Sequence, residues 1–293
     1  GGLLAVQQGG STPARAASAP QCSNDSGLSL PPGFCATIFA DNLGHARQMA
    51  MGADGTLYVN TWSSNYFQEK PDPAAGYVVA LRDTNGDGKA DKTDRFGPTP
   101  NDKSTGGTGI ALYKGGLFVE TDDKILRYPL KAGQVTPSGA ATTVLAGLPM
   151  SGDHMMHPIA IDTAGNLFVN SGSPSNVCEK ANRQPGSMGK DPCDELPTRA
   201  GIWKYSAVKT GQAFSPAERY ATGIRNTGGM AFDAAGNLFA VQHGRDQLSQ
   251  SWPAMYTIEQ GAERPAEELM LVKKGDDFGW PYCYYDGFQK KLV

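Results

Sequence analysis

Four segments of this chain repeat one pattern of apolar residues and turn residues, and this repetition limits the folds open to it. The segments are RQMAMGADGTLYVNT from Arg47, GTGIALYKGGLFVET from Gly107, HPIAIDTAGNLFVNS from His157 and GGMAFDAAGNLFAVQ from Gly228. In each, alternating apolar residues lead to a Gly-containing turn and then to a second apolar run that begins with Leu. The pattern predicts one β-hairpin used four times.

The spacing of the repeats favours the blades of a β-propeller. The Leu residues that begin the second strands are 60, 50 and 71 residues apart, at Leu57, Leu117, Leu167 and Leu238. Such intervals suit blades with insertions. Further strands are predicted after three hairpins, at 77–81, 124–128 and 201–205. An irregular β-sandwich is the alternative, but sandwiches seldom repeat one hairpin sequence. The predicted class is all-β.

The repeats account for about four blades, and a fifth is predicted to begin at Glu268–Val272. Because an open propeller exposes strand edges and apolar blade faces, we expect the full-length protein to continue beyond Val293. Residues 28–293 are predicted to form this incomplete propeller domain. Residues 1–27 are interpreted as a disordered leader or the remnant of an export signal.

Charge and hydropathy exclude several classes of partner. The formal net charge is -3, and Lys and Arg do not cluster. Nucleic acids and anionic membrane surfaces both require a concentrated basic patch, so neither is an expected partner. No apolar run reaches the roughly 20 residues that span a bilayer. A small neutral ligand fits this composition better.

The five cysteines indicate an oxidising compartment. Cys22 lies near Cys35 and Cys178 near Cys193, and neither pair has the CxxC spacing of zinc or redox motifs. Two local disulfides are the simpler interpretation, which predicts a periplasmic or extracellular protein. Cys283 is left over, and it is either a thiol with a partner outside this sequence or a free buried thiol.

A short loop has the spacing of a calcium-binding loop. Oxygen-bearing side chains occupy its positions 1, 3, 5, 9 and 12, Gly86 stands at position 6, and Lys89 offers its carbonyl at position 7. The predicted ligands are Asp83, Asn85, Asp87, Lys89, Asp91 and Asp94. A bound ion here is expected to be structural. A solvated turn between two strands is the alternative.

Three histidines, His154, His157 and His243, fall near the ends of repeat strands, where propeller loops converge on the central channel. The segments around them resemble the soluble quinoprotein glucose dehydrogenases and their sorbosone dehydrogenase relatives, and the resemblance is closer to the second branch. It rests on four motifs that occur in order, LAGLP followed by Asp153-His154, TGIRN at 222–226, QHG at 242–244, and GDDFGWP at 275–281. The resemblance implies a six-bladed propeller.

The resemblance also implies a chemistry. Enzymes of this family use pyrroloquinoline quinone (PQQ) with Ca²⁺ to oxidise the anomeric or aldehyde carbon of sugars, and they pass electrons to an external acceptor. His154 matches the general base, and Arg225 and Asn226 match residues that contact the quinone oxygens, where Arg225 stabilises developing charge. The backbone carbonyls of Gly244 and Arg245 fall where the family holds the cofactor's Ca²⁺.

Three departures from the family pattern stand beside these matches. The carboxylate that orients the base falls near Ser173, which carries no charge, and a glutamine that touches the cofactor is replaced around Gly107 and Thr108. The cationic residues that hold the cofactor's carboxylates belong to blades outside this sequence. A non-catalytic carbohydrate-binding or protein-binding propeller is therefore the main alternative.

A propeller hydrolase of the lactonase type is a third interpretation. It requires a metal in the channel with several carboxylate or amide ligands, whereas the repeat ends show Asn60 and Asn170 but few acids.

Overall fold

The computed structural model describes residues 25–62, 76–98, 107–131 and 133–293. Four antiparallel sheets follow one another along the chain as four blades of a propeller. Blade 1 contains β1 (His45–Met51), β2 (Leu57–Trp62), β3 (Val78–Arg82) and β4 (Lys92–Phe96). Blade 2 contains β5 (Ile110–Tyr113), β6 (Gly116–Thr121), β7 (Lys124–Pro129) and β8 (Thr142–Ala146).

Blade 3 is formed by β9 (Ile159–Ile161), β10 (Asn166–Ser171), β11 (Gly201–Ser206) and β13 (Arg219–Thr222), while β12 (Gln212–Ala213) pairs in parallel with β8 of blade 2. Blade 4 is formed by β14 (Thr227–Phe232), β15 (Leu238–Gln242) and β16 (Glu268–Val272). A hairpin of β17 (Tyr285–Asp286) and β18 (Lys291–Leu292) follows. Within the described ranges, the helical segments are a 3₁₀ turn at Pro216–Glu218 and short helices at Leu248–Ser251 and Ile258–Glu263.

The four predicted hairpins are confirmed. They are the pairs β1 with β2, β5 with β6, β9 with β10 and β14 with β15. Their turns use Gly at positive φ, for example Gly115 at 68° and Gly165 at 88°, where other residues would be strained. The three further strands are confirmed as β3, β7 and β11.

The assignment of Glu268–Val272 to a fifth blade is wrong. This strand, β16, pairs along its whole length with β15, from Leu238 opposite Val272 to Gln242 opposite Glu268. It is therefore the third strand of blade 4. The two strands are separated by a long connection with two short helices, whereas most hairpins in this chain are tight. The sixfold ring and the continuation beyond Val293 stay predictions.

Apolar residues fill the spaces between successive blades. Because successive side chains of a strand point to opposite faces of its sheet, one set packs against the preceding blade and the other against the following blade. In blade 2, Leu117 and Val119 pack against blade 1, and Phe118 packs against blade 3. In blade 3, Phe168 faces blade 4. The far face of blade 4 carries Val241, Leu269 and Leu271, which are exposed.

One buried polar side chain crosses each seam between blades, at the third residue after the repeat Leu. Asn60 donates Nδ2 to Gly109 O and Glu120 O, at 3.0 and 2.9 Å. Glu120 accepts at Oε1 from the backbone amide and from Nδ1 of His157, at 2.7 and 2.9 Å. Asn170 accepts at Oδ1 from the amide of Thr227 at 3.3 Å. We call these three residues the seam residues.

The cysteine predictions have mixed outcomes. The disulfide between Cys178 and Cys193 is present, whereas the pairing of Cys35 with Cys22 involves Cys22, which lies outside the described residues. Cys283 is a half-buried free thiol. Among the helices of the described chain, none has the length and apolar character needed to cross a membrane.

Candidate active site

His154 lies in the loop between β8 and β9 and is only 7% exposed. Its Nδ1 is 2.7 Å from the carbonyl oxygen of Ser173 and 3.0 Å from Ser173 Oγ. The Ser173 hydroxyl itself donates to Ser175 O at 2.6 Å. Because a carbonyl oxygen only accepts hydrogen bonds, Nδ1 of His154 carries the proton. Nε2 is then left with its lone pair, which is the state that a general base requires.

The surroundings of His154 keep the imidazole neutral. Burial, and then the positive charge of Arg225, lower the pKa of His154 from 6.5 to about 4. The hydrogen bond to Ser173 acts in the opposite direction but does not cancel these effects. At neutral pH, the side chain is therefore an uncharged proton acceptor.

Arg225 lies before β14, is 2% exposed and is held by three hydrogen bonds. Nε donates to the carbonyl of Asn176 and Nη2 to Asn176 Oδ1, both at 2.9 Å, and Nη2 also donates to Asp246 Oδ2 at 3.0 Å. Burial alone would raise the pKa of Asp246, but Arg225 and Arg183 together lower it. The carboxylate of Asp246 is therefore the counter-ion of Arg225.

Ser173 connects the two predicted catalytic residues. Its carbonyl accepts from His154, and its amide donates to the carbonyl of Arg225 at 2.7 Å. Gly172 brings Asn226 to the same place, because a Cβ at Gly172 would lie 2.7 Å from the Cβ of His154 and 3.0 Å from Asn226 Oδ1. That Oδ1 is buried without a hydrogen-bond partner. The structure thus brings His154, Arg225 and Asn226 together.

The chain between β10 and β11, residues 172–200, forms an irregular insert closed by the Cys178–Cys193 disulfide. Arg199 at its end is 3% exposed and donates to the carbonyls of Ser151, His154 and Gly172. Burial lowers the pKa of Arg199 to about 10. The guanidinium therefore remains charged and fixes the backbone on both sides of the site.

Gly244 and Arg245 line a cavity of about 240 Å³ together with Arg225, Trp280 and Tyr284. Nε of Arg245 is buried without a partner. His154 and Asn226 are not among the lining residues, so the predicted cofactor residues fall into two neighbouring groups that share Arg225. The cavity is therefore lined by two guanidinium groups, the carboxylate of Glu268 and the side chain of Trp280.

The two other histidines are placed differently. The side chain of His157 is fully buried. Its Nδ1 lies 2.9 Å from Glu120 Oε1, at the seam between blades 2 and 3. His243 is exposed, donates its backbone amide to Asn226 O and has Nδ1 3.0 Å from Glu267 Oε2. Of the three, only His154 joins Arg225 in a buried polar site.

The departure at Gly107 has a steric reason. A Cβ at this residue would lie 2.1 Å from Glu120 O, so a glutamine does not fit here without a shift of the backbone. The amide of Thr108 donates to Glu120 Oε2 at 2.7 Å. Gly107 and Thr108 are therefore packed against the seam residue Glu120.

The predicted calcium loop uses its acids to bind its own backbone. Asp83 accepts from the amides of Gly86 and Gly88, and Asp87 accepts from the amide of Lys89. Gly86 has φ 81°, the sharp turn expected at position 6. Within the described ranges, the acids of this loop do not form a group of three with ligand atoms within 4.8 Å of one another. The group that does, Cys178, Cys193 and Glu195, contains the two sulfurs of the disulfide and is therefore not a metal site. The calcium site stays a prediction.

Three residues of the site were missed from the sequence, namely Asn176, Arg199 and Asp246. Asn176 and Arg199 lie in the insert, which has no repeat pattern, and Asp246 follows the end of β15. The Cys178–Cys193 pair is the one sequence signal that marks the insert as an ordered structure.

Comparisons with known proteins agree with this fold. The TrAA12-like family model matches residues 28–291. The chain is similar to iodide and calcium structures of a carbohydrate-active enzyme of family AA12 from Trichoderma reesei, both with TM-score 0.60, at 18% and 17% identity, covering 83% of this chain and 57% of that chain. No curated protein matches the sequence.

Two further solved structures are similar. They are the holo form of the pyranose dehydrogenase PQQ domain from Coprinopsis cinerea (TM-score 0.61, 17% identity, 84% of this chain and 56% of that one) and the PQQ-bound aldose sugar dehydrogenase from Streptomyces coelicolor (TM-score 0.51, 20% identity, 83% and 64%). The chain thus spans less than two thirds of their lengths. Because the family model covers most of its residues, the chain belongs to the TrAA12-like family.

Proposed function

We propose that this chain is part of a PQQ-dependent oxidoreductase that oxidises the anomeric or aldehyde carbon of sugars. Membership of the TrAA12-like family supports the proposal, as do similar structures that are named for PQQ and for sugar oxidation. The observation that carries it is the tautomer of His154. Its Nδ1 proton is held by the carbonyl of Ser173, and its Nε2 is a neutral base beside Arg225.

In this proposal, Nε2 of His154 accepts the proton of the sugar hydroxyl. The bound quinone with its Ca²⁺ supplies the hydride acceptor. Arg225 offers a buried positive charge to ligand oxygens, and Nη1 takes no part in its three hydrogen bonds. The backbone carbonyls of Gly244 and Arg245 are the proposed ligands of the cofactor's Ca²⁺.

The polar atoms without partners fit such a ligand. Asn226 Oδ1 and Arg245 Nε are both buried without a hydrogen bond, and leaving such atoms unsatisfied is costly. A quinone with carboxylates offers acceptors to Arg245, and an ordered water or a ligand donor satisfies Asn226. The loop at Asp83–Asp94 is proposed as a separate, structural Ca²⁺ site.

We place the protein outside the cytoplasm, where the Cys178–Cys193 disulfide is stable and an external acceptor takes the electrons. The complete ring is proposed to have six blades. A further sheet would cover the exposed Val241, Leu269 and Leu271 on blade 4.

The test is reconstitution of the full-length protein with PQQ and CaCl₂, followed by dye reduction with a panel of aldoses and sorbosone. We expect sugar-dependent reduction that His154→Ala abolishes while quinone binding persists. His45→Ala is the matched control, because His45 lies in β1 of blade 1, whereas His154, Ser173 and Arg225 all lie between β8 and β14. Quinone binding without reduction of dye by any sugar would overturn the proposal.

A non-catalytic binding propeller is the second candidate, and the uncharged Ser173 favours it. An enzyme and a binding protein respond differently to the same variant. In a binding protein, His154→Ala leaves ligand affinity nearly unchanged, and no turnover exists to lose. The lactonase alternative is weakened by Asn170, because its Nδ2 and Oδ1 are spent on Gly201 O and Thr227 N.

A further inference from the structure

Asn176 is the centre of the contacts around Arg225. It is fully buried, and its carbonyl accepts from Arg225 Nε at 2.9 Å and from Trp280 Nε1 at 3.2 Å. Its Oδ1 accepts from Arg225 Nη2 at 2.9 Å and from the amide of Asp246 at 2.8 Å, while its Nδ2 donates to Asp246 O at 2.9 Å. Every polar atom of this side chain therefore holds Arg225 or its counter-ion.

Asn176 is itself fixed by the insert. Its amide donates to Asn182 Oδ1 at 3.0 Å. Cys178, two residues further on, donates its amide to Ser175 Oγ at 2.8 Å and is cross-linked to Cys193. The hydrogen-bond acceptors for Arg225 thus sit on a segment that is closed covalently, although that segment lies in an irregular part of the chain.

The other acceptor of Arg225 is less restrained. The side chain of Asp246 is 51% exposed, whereas that of Arg225 is 2% exposed. A guanidinium that depended on Asp246 alone would follow the carboxylate toward solvent, because a long side chain regains rotamer freedom there. Asn176 opposes this movement by presenting two oxygens to Nε and Nη2, a fork that matches the planar group.

We propose that Asn176 is a positioning residue for Arg225, which it keeps beside His154 with Nη1 free for an acceptor atom of the bound ligand. The identity of that ligand rests on the proposed function. The contact itself does not, because both of its partners are residues of this chain. Positioning of this kind is a known requirement of precise active-site geometry.

The test uses the chain without cofactor and measures the pKa of His154 by NMR titration of its ring. Arg225→Ala calibrates the effect of removing the charge. We expect Asn176→Ala to raise the pKa of His154 by at least half of the shift that Arg225→Ala causes. Gln184→Ala, at an exposed residue of the same insert, is the matched control, and it should leave the pKa of His154 unchanged. An unchanged pKa in folded Asn176→Ala would overturn the proposal.

A second variant covers the case in which Asn176→Ala does not fold. Asn176→Asp keeps both oxygen acceptors of the fork, so the Nε–H of Arg225 should exchange with solvent as slowly as in the unaltered chain. Exchange as fast as that of the exposed Arg219 would contradict the proposal. The affinity for PQQ is measured in parallel. A shifted pKa of His154 without any PQQ binding would support positioning by Asn176 and refute the proposed cofactor.

Discussion

The carbonyl oxygen of Ser173 lies 2.7 Å from Nδ1 of His154, at the position where the family resemblance predicts a carboxylate. A carbonyl fixes the tautomer of the imidazole as firmly as a carboxylate does, but it adds no negative charge to stabilise the protonated ring. His154 is therefore an oriented base of low basicity, with its pKa lowered by burial and by Arg225 to about 4.

Introducing a carboxylate at Ser173 should make the imidazole of His154 more basic. We expect Ser173→Asp to raise the pKa of His154 by about 1 to 3, the usual effect of an opposite charge within hydrogen-bonding distance. Ser173→Asn is the matched control, since it has the same shape without the charge. The measurement is the pH dependence of the His154 ring resonance, which is readily resolved among 4 histidines. Equal shifts in both variants would show that charge is not the cause.

The low pKa of His154 also predicts acid sensitivity. The unfolded chain binds a proton at His154 below pH 6.5, whereas the folded chain does so only near pH 4. The stabilisation is thus complete above pH 6.5 and is lost as pH falls toward 4, by about 3 kcal/mol.

His154→Asn removes the titrating group but keeps a donor for Ser173 O. Urea unfolding at several pH values should show a shallower loss of stability in this variant than in the unaltered chain. Parallel curves for the two proteins would refute the assignment of the acid-sensitive group to His154.

Replacing the seam residue Glu120 by glutamine should lower the stability of the protein. Its two oxygens accept from the amides of Thr108, Gly109 and His157 and from His157 Nδ1. In Glu120→Gln, an NH₂ group faces backbone donors, which costs about 3 kcal/mol of folding free energy. Chemical denaturation measures this loss. The exposed Glu218→Gln is the control and should change stability by less than about 0.5 kcal/mol.

The disulfide of the insert should contribute to global stability. Cys178 and Cys193 are 15 residues apart, a loop for which closure is worth about 3 kcal/mol. Replacing both by Ala should lower the free energy of unfolding by about this amount, whereas Cys283→Ala keeps the bond and should have a smaller effect. If the double variant unfolds at the same urea concentration as the unaltered chain, the insert is stabilised by its noncovalent contacts alone.

The blades were predictable because the signal is local. Each hairpin needs only alternating apolar residues and a Gly-containing turn, and both can be read within 15 residues. The error at Glu268–Val272 arose where the partner strands are far apart. Gln242 pairs with Glu268 across an irregular segment, so no turn signal linked them.

The site was only partly predictable. His154, Arg225 and Asn226 stand in recognisable motifs next to repeat strands, but the residues that hold them do not. Asn176 holds Arg225 through its backbone carbonyl and its side-chain amide, within an insert that has no periodicity. Arg199 donates hydrogen bonds to three backbone carbonyls. Contacts of this kind depend on the folded path of the backbone, which composition and spacing do not encode.

The hydrogen bonds by which the seam residues cross between blades all run from one blade to the next blade in the sequence. Asn60, Glu120 and Asn170 each bond to the blade that follows in the sequence. Blades 1, 2 and 3 therefore each carry, before the next blade is synthesised, the polar side chain that will bond to it. A chain arranged in this way is suited to vectorial assembly, in which each new blade docks on a finished one as synthesis proceeds.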